Sequence, residues 1–338
     1  MRRSTSIRTS MRPSERWIAP AAGFCLTALM LVAARQGSPL PVLLADRVLP
    51  GWGWLEIAAL SGYAAVVIRV IQDTGRSEKA RSTIWSLFSA AFFLQLALGL
   101  SGAELFLMSG ELHLPVPALI VAGPLYRGEG LFMPLLFLGT IVLVGPAWCS
   151  HLCYLGAWED RISRRAKGAP VQLPGWATYG VRAGILGLAI VVPLVFRAYG
   201  VSALVAVLAG LGFGVLGLGV MLTLARRFSI MVHCTVMCPV GLVADALGKL
   251  SPWRIRIGES CTGCGVCARA CRYSALGRRH LARGRPGLTC TLCGDCVSRC
   301  PEEAIGYHFL GLSRKAPRLG FVCLVVSLHA AFLGLARI

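Results

Sequence analysis

Seven apolar runs, each close to the length a helix needs to cross a bilayer, constrain this chain more than any other feature. They lie at about Trp17–Ala34, Leu55–Ile71, Ile84–Met108, Leu131–Trp148, Tyr179–Phe196, Val201–Ala225 and Leu319–Ala336. A helix rises about 1.5 Å per residue, so roughly 20 apolar residues cover the hydrocarbon core. The chain is 56% hydrophobic and only 14% charged. A water-soluble globule of that composition lacks the polar side chains to cover its surface. The last run ends two residues from the C-terminus, and the pattern leaves its crossing open.

The formal net charge of +19 invites a nucleic-acid reading, but its placement argues for membrane orientation. With the N-terminus inside, only Arg35, Arg47, Arg127, Arg197 and Arg337 of the 34 Lys and Arg fall outside. That is one consistent positive-inside topology, and no nucleic-acid fold signature accompanies the charge. The basic stretch Arg2–Arg16 before the first run is long for a signal peptide, and six more runs follow. An uncleaved first helix is therefore expected.

Eight cysteines follow the sixth run in a doubled spacing. Cys261, Cys264, Cys267 and Cys271 read C-x2-C-x2-C-x3-C, and Cys290, Cys293, Cys296 and Cys300 repeat it, followed by Pro301. This is the ligand pattern of a two-cluster bacterial ferredoxin, in which the fourth cysteine of each run crosses to the other cluster. One [4Fe–4S] cluster is expected on Cys261, Cys264, Cys267 and Cys300, the other on Cys290, Cys293, Cys296 and Cys271. Three thiolates from one tight loop must reach three corners of a small cube, which explains the close spacing. Zinc ribbons instead use two C-x2-C pairs separated by a longer loop. The first run departs from the pattern at Arg272, where proline is usual. On the inner side thiols stay reduced, so fourteen cysteines read as ligands and redox groups.

Two more pairs stand where runs four and six meet the inner side. Cys149-x3-Cys153 is followed by Gly156 and Asp160, and Cys234-x3-Cys238 by Pro239, Gly241 and Asp245. The shared pattern C-x3-C-x2-G-x3-D ends two helical hairpins of like orientation, a parallel repeat about an axis normal to the membrane. Cysteines at i and i+4 share a helix face, so two pairs can supply four soft thiolates. These suit copper(I), zinc or an iron–sulfur centre, or act as electron-exchanging dithiols. Cys25 and Cys323 read as small buried hydrophobes. His151 and His233 adjoin the pairs as metal ligands, proton partners or interface residues, while His329 is placed to ligate a haem but has no evident second ligand in sequence. Arg161, Arg164, Arg165 and Lys167 read as anchors to lipid phosphates. The basic run Arg278–Arg285 reads as a docking face or a lipid contact. The glycines of 210–219 lie mid-membrane, which excludes a nucleotide loop and points to close helix packing.

Two C-x3-C motifs at inner helix ends, followed by a two-cluster ferredoxin, resemble the NapH/MauN group of membrane ferredoxin-type proteins. NosR and CcoG share these parts. The likeness covers about Leu131–Gly306. All eight ferredoxin cysteines match, and Cys238-Pro239 keeps the proline that Tyr154 replaces in the first copy. The resemblance implies electron transfer between a membrane pool, usually quinol, and a partner redox enzyme, or help in maturing one.

Quinone chemistry needs an apolar slot with a hydrogen-bond donor and a proton acceptor. Glu104, with Glu111 or His113, is the outer-side candidate, because carboxylates at membrane depth are costly. The segment His113–Tyr126, with Pro115, Pro117 and Pro124, reads as re-entrant or interfacial.

The expected fold class is mainly α, a polytopic helical membrane protein of about seven spans with an inserted α+β two-[4Fe–4S] bacterial ferredoxin domain. Expected boundaries are 1–250 for the membrane part, with hairpin repeats at about 84–165 and 176–250, then 251–312 for the ferredoxin and 313–338 for the last helix. Expected cofactors are two [4Fe–4S] clusters, with a quinone and a copper or other metal centre at Cys149, Cys153, Cys234 and Cys238 as further candidates. Expected partners are the quinone/quinol pool and a redox enzyme or soluble carrier, with no nucleic acid. The setting is a bacterial inner membrane with N-terminus and ferredoxin cytoplasmic. A quinol-linked oxidoreductase subunit is compatible with this reading. The main alternative is an accessory copper reductase or maturation factor using the C-x3-C thiolates.

Overall fold

Apolar length alone selects seven helices for the membrane: Arg16–Gly37, Gly53–Gln72, Thr74–Leu100, Phe132–Leu152, Trp176–Ala198, Ala203–Phe228 and Lys315–Leu335. These are spans one to seven. The computed structural model describes residues 15–106, 114–166 and 168–335, and its class is the expected one: a mostly helical membrane protein carrying a small ferredoxin-like α+β segment. Spans two and three are separated only by Asp73, whose carboxylate accepts the Gly75 N–H at 3.0 Å and so caps the third. A capping carboxylate of this kind satisfies one of the orphan donors at a helix start.

Span seven is the centre of the molecule. Buried positions make up 67% of its apolar window, against 11% in span five and 17% in spans three and six. It packs against spans one and two, and Phe321 at its start meets Tyr307 at 4.8 Å and Trp253 at 5.4 Å between ring centres. The run whose crossing the sequence left open is therefore the axle of the fold. Its apolarity serves protein contacts more than lipid.

The ferredoxin-like segment is built on a three-stranded antiparallel sheet in the order β1–β2–β3, with β1 Trp253–Ile257, β2 Ile305–Phe309 and β3 Leu312–Arg314. Register runs from Trp253 opposite Phe309 to Ile257 opposite Ile305. Trp253, Ile255 and Ile257 are buried while Arg256 is exposed, the period-two pattern of a strand with one dry face. That face covers the cysteine loops. Trp253 also donates its indole N–H to the Leu143 carbonyl at 3.0 Å, tying the sheet to span four.

On the far side of the membrane, residues 114–127 fold back between spans three and four. The helix Leu119–Arg127 ends this segment, and Tyr126 Oη donates to the Val201 carbonyl at 2.8 Å. Its tip reaches the glycine face of span six: a Cβ on Gly210 would stand 3.2 Å from Leu119, and one on Gly214 would stand 2.8 Å from Val116.

Candidate cofactor sites of the cysteine motifs

Both ferredoxin motifs fold by the same local rule. Gly263 and Gly265 adopt φ of 69° and 73°, and Leu292 and Gly294 at the matching positions adopt 55° and 82°. Alternating left-handed residues turn successive main-chain N–H groups to one side, the kind of nest that suits iron–sulfur sites. A single helical turn follows each loop, Val266–Ala270 and Asp295–Arg299, and ends on Cys271 (φ −79°, ψ 105°) and Cys300 (φ −77°, ψ 113°). Those extended cysteines leave their own loops. Cys261, Cys264, Cys267 and Cys300 line one pocket of about 270 Å³, and Cys271, Cys290, Cys293 and Cys296 line a second of about 320 Å³.

The two pockets differ in setting. Cys264 is exposed at the first. The second is lined by the buried Ile255, Tyr273 and Leu276, and burial pushes the Cys290 thiol up to about 12. A thiol so disfavoured as an anion ionises only against compensating positive charge, which iron supplies. The Thr291 hydroxyl at this pocket is buried without a partner, a free donor for whatever the pocket holds. The residues present thus fit a cluster. Among the described residues, no three His, Cys, Asp or Glu converge tightly enough for a single metal ion.

The second pocket is the one that faces the spans. Tyr273 Oη donates to the Cys149 carbonyl at 3.2 Å, and Ser150 Oγ donates to the Thr291 carbonyl at 2.9 Å. Arg272, which replaces the usual proline, also has a structural use. Its guanidinium donates to the Ser229 carbonyl at 2.9 Å, and its own carbonyl accepts the Met231 N–H at 2.8 Å.

The C-x3-C motifs share a geometry too. A π-turn, Trp148–Leu152 or His233–Met237, carries the first cysteine. The second cysteine closes it through an i→i−5 bond, Cys153 N–H to Trp148 O at 3.0 Å and Cys238 N–H to His233 O at 2.8 Å. Cys153 (φ −76°, ψ 113°) and Cys238 (φ −71°, ψ 112°) then start the helices Tyr154–Arg164 and Pro239–Leu247. Across the repeat, Cys238 is within electrostatic reach of both Cys149 and Cys153, and Cys234 of Cys153. Burial pushes the Cys153 thiol up to about 12.

The rest of the repeated motif has a mechanical explanation. Asp160 pairs with Arg81 of span three at 3.2 Å, and Asp245 with Arg182 of span five at 2.7 Å. The carbonyl of each second cysteine is also held from those spans. Trp85 Nε1 donates to Cys153 O at 2.9 Å and Arg182 Nε to Cys238 O at 3.3 Å. The glycines admit these side chains: a Cβ on Gly156 would stand 2.7 Å from the Trp85 ring, and one on Gly241 would overlap the Arg182 guanidinium.

Arg81 also reaches the ferredoxin segment, donating to Asp295 at 3.1 and 3.0 Å and to the Ser150 carbonyl at 3.0 Å. Arg164 bonds Asp160, Glu78 and Asp295, and Arg299 bonds Glu78. Three arginines and three carboxylates therefore alternate between span three, the helix after Cys153 and the turn that carries Cys296. Arg164 belongs to this lock and is not the lipid anchor its sequence position suggests; Lys167 lies outside the described residues.

Glu159 is fully buried and crosses from the first repeat to the second. Its carboxylate accepts the His233 N–H at 2.6 Å and the Cys234 N–H at 2.9 Å. Burial pushes its carboxyl up to about 7, against the pull of those two N–H groups. Both ring nitrogens of His329 are engaged: Tyr63 Oη lies 3.1 Å from Nε2, and the His151 carbonyl lies 3.0 Å from Nδ1. His151 Nδ1 meets Ser150 Oγ at 2.9 Å.

All twelve motif cysteines lie on one side of the membrane. Glu104 stands in a short turn, Glu104–Phe106, beyond the far end of span three, remote from them. Glu111 and His113 lie outside the described residues. Sequence reading missed Arg81, Trp85, Glu159, Arg182 and Tyr273. The one available signal was the repeated aspartate, which calls for a buried cation.

Comparison with known proteins falls on the membrane motifs. A family described as a 4Fe-4S binding domain matches residues 126–170 and 199–258, which contain both C-x3-C pairs and stop short of the ferredoxin cysteines. The putative electron transport protein YccM of Escherichia coli (strain K12) is 27% identical over 168 residues, 44% of this chain and 47% of that protein. The chain thus spans about half the length of the curated relative it matches. No solved structure matches it.

Proposed function

We propose that the chain is a membrane-bound iron–sulfur electron-transfer protein. Two [4Fe–4S] clusters are held by Cys261, Cys264, Cys267 and Cys300, and by Cys290, Cys293, Cys296 and Cys271. The observation that carries this reading is the lining of the two pockets, which divides the eight cysteines into those crossed sets. Similarity to a 4Fe-4S binding domain and to an electron transport protein supports it. When bound, the clusters supply one-electron chemistry, and the protein supplies ligation, spacing and insulation.

The exposed first pocket is the exchange point with a soluble carrier or partner enzyme. The second pocket passes electrons toward the spans, where Tyr273 and Thr291 bridge it to the turn of Cys149 and Ser150. The four cysteines of the repeat hold a third redox centre between the clusters and the quinone/quinol pool. Arg81 and Arg182 are the fixed positive charges beside it, and Glu159 holds the second turn in place. The positive-inside pattern puts the ferredoxin side in the cytoplasm of a bacterial inner membrane. Domain limits follow the same logic: 1–250 in the membrane, 251–312 for the ferredoxin and 313–338 for the closing helix.

A second reading is copper reduction in the maturation of a metalloenzyme, favoured by two pairs of soft donors that stand within electrostatic reach of each other across the repeat. Iron, copper and EPR analysis of anaerobically purified protein tests both. About eight iron per chain without copper is expected from two clusters, with more if the third centre is also iron–sulfur. Stoichiometric copper lost on replacing Cys234 and Cys238 by serine supports the second reading. Reoxidation of pre-reduced protein by a soluble quinone analogue tests the quinone link, and its absence overturns that link.

A further inference from the structure

His233 precedes Cys234, yet its ring belongs to no contact the cysteine site requires. It is 5% exposed, and Nδ1 is buried without a hydrogen-bond partner. Such an orphan is costly unless something satisfies it. Its main chain is fixed, with N–H on Glu159 and carbonyl on the Cys238 N–H, so the ring cannot easily turn elsewhere. The edge bearing Nδ1 presses on span six: a Cβ on Gly217 would stand 2.9 Å from Nδ1 and 2.7 Å from Cε1.

Gly217 continues the face of Gly210 and Gly214, since positions i, i+4 and i+7 align on a helix. Gly210 and Gly214 receive Leu119 and Val116 at the tip of the re-entrant segment. Two structures thus meet end to end on one glycine face, the re-entrant tip from one side of the membrane and His233 from the other. Gly214 and Gly217 lie roughly 16–21 Å along the helix from its end at Phe228, well inside the hydrocarbon region. Span six is otherwise open to lipid, with Leu211, Val215, Leu216 and Leu218 exposed.

We propose that a quinone head group binds here, between Val116 and His233 on the glycine face, with a ring oxygen hydrogen-bonded to His233 Nδ1. The inference rests on the electron-transfer reading above and gives its quinone a place. The chemistry asked of the ligand is specific: a flat apolar body that slides over glycine from lipid, carrying one oxygen for an imidazole nitrogen. Parting Val116 from Gly214 opens the joint, because the span contributes no side chain that must move. Reduction takes two electrons from the iron–sulfur side and two protons, forming two O–H bonds. Both protons come from water, and His233 holds the nearer oxygen by a hydrogen bond throughout. This location is near the middle of span six, not at Glu104.

The test uses the full chain in lipid nanodiscs, pre-reduced and mixed with duroquinone or a short-chain ubiquinone analogue while cluster absorbance is followed. His233→Phe is expected to slow reoxidation tenfold or more at low quinone, through a raised KM, with cluster EPR and dithionite reduction unchanged. His233→Gln, which keeps a hydrogen bond, is expected to recover most of the rate. An azido-quinone should label 114–119 or 214–217 in the unaltered protein, and Val116→Phe should block that label. This arm decides the matter if His233→Phe does not assemble. Normal reoxidation of His233→Phe, or labelling confined to the 104–113 region, overturns the site and leaves water as the partner of Nδ1. Failure of unaltered protein to reoxidise with either quinone instead overturns the quinone link itself.

Discussion

Tyr273 donates its hydroxyl to the main-chain carbonyl of Cys149 at 3.2 Å, joining the wall of the second ferredoxin pocket to the first C-x3-C turn. The two residues are 124 positions apart in sequence. Tyr273 follows Cys271 by two residues, so this contact ties the second ferredoxin pocket to the first C-x3-C turn through few bonds, and under the proposed function it is a route for electrons. Tyr273→Phe removes the bond and keeps the ring. A stability loss of about 1 kcal/mol is expected, with cluster content unchanged. Electron exchange between the ferredoxin and the membrane centre should slow, as read by stopped-flow absorbance, and Tyr273→Leu should slow it further. Equal rates in all three proteins would remove Tyr273 from the route.

The lock around Arg81 sets how firmly the ferredoxin segment is held. Arg81 is 3% exposed, and Asp160 and Asp295 are 1% and 2% exposed. Arg81→Met leaves two buried carboxylates short of a counter-charge, and such a loss costs about 3–5 kcal/mol. The combined variant Arg81→Met, Asp295→Asn should lose less than the single change, because Arg164 and Arg299 then face two carboxylates, Asp160 and Glu78. Thermal unfolding of the set checks the order. Although burial opposes its ionisation, Arg81 and Arg164 hold the Asp160 carboxyl well below the usual range. A depressed folded-state pKa gives stability that is present above the unfolded value, about 3.9. It is lost as pH falls through the lower folded value. The Asp160 contribution should therefore be constant from pH 5 upward and weaken only below about pH 4.

How much of this was legible in the sequence follows from what each feature needs. The spans need only apolar length, and the two cysteine sets need only spacing, so both were readable from residues such as Cys261–Cys271 and Cys290–Cys300. The repeat was readable from its glycine and aspartate, but the partners were not. Arg81 precedes Cys149 by 68 residues and Arg182 precedes Cys234 by 52, because the re-entrant segment lengthens the first hairpin. No fixed spacing links them to the motif. A basic residue at a span end also looks like any other positive-inside charge. The central position of span seven was not legible for a related reason: hydropathy registers transfer from water and does not distinguish lipid contact from burial in protein. Glu159 and Tyr273 act only across tertiary contacts, and nothing in their local sequence announces this.

The conserved geometry of the two repeats makes their glycines unequal in a predictable way. Alanine at Gly156 would place Cβ 2.7 Å from the Trp85 ring and 3.0 Å from the Cys149 carbonyl. Neither can yield easily, since Trp85 is 1% exposed and its indole holds Cys153. At Gly241 the nearest atom is the far end of the Arg182 side chain, with the Cys234 carbonyl next at 3.2 Å. Overpacking of this kind costs about 1–3 kcal/mol. Gly156→Ala is expected at or above the top of that range and Gly241→Ala nearer the bottom, as measured by thermal unfolding in detergent. The reverse order would mean that Arg182, and not Trp85, is the rigid member.

Substitution of Glu159 should distinguish the C-x3-C site from the ferredoxin pockets. Span six ends at Phe228, and Ser229 takes a left-handed conformation (φ 57°) before the second C-x3-C turn begins. That break leaves the His233 and Cys234 N–H groups without helical acceptors, and the Glu159 carboxylate serves both. Glu159→Ala strands two buried donors, each worth about 1–3 kcal/mol, and frees the turn carrying Cys234. The ferredoxin cysteines touch none of these atoms. The expected outcome is loss of whatever the four C-x3-C cysteines hold, while the two ferredoxin clusters keep their EPR signals and iron. Glu159→Gln retains one acceptor oxygen and should fall between the two. Simultaneous loss of both kinds of signal would show that the repeat and the ferredoxin fold as one cooperative unit, and that Glu159 matters to the whole assembly.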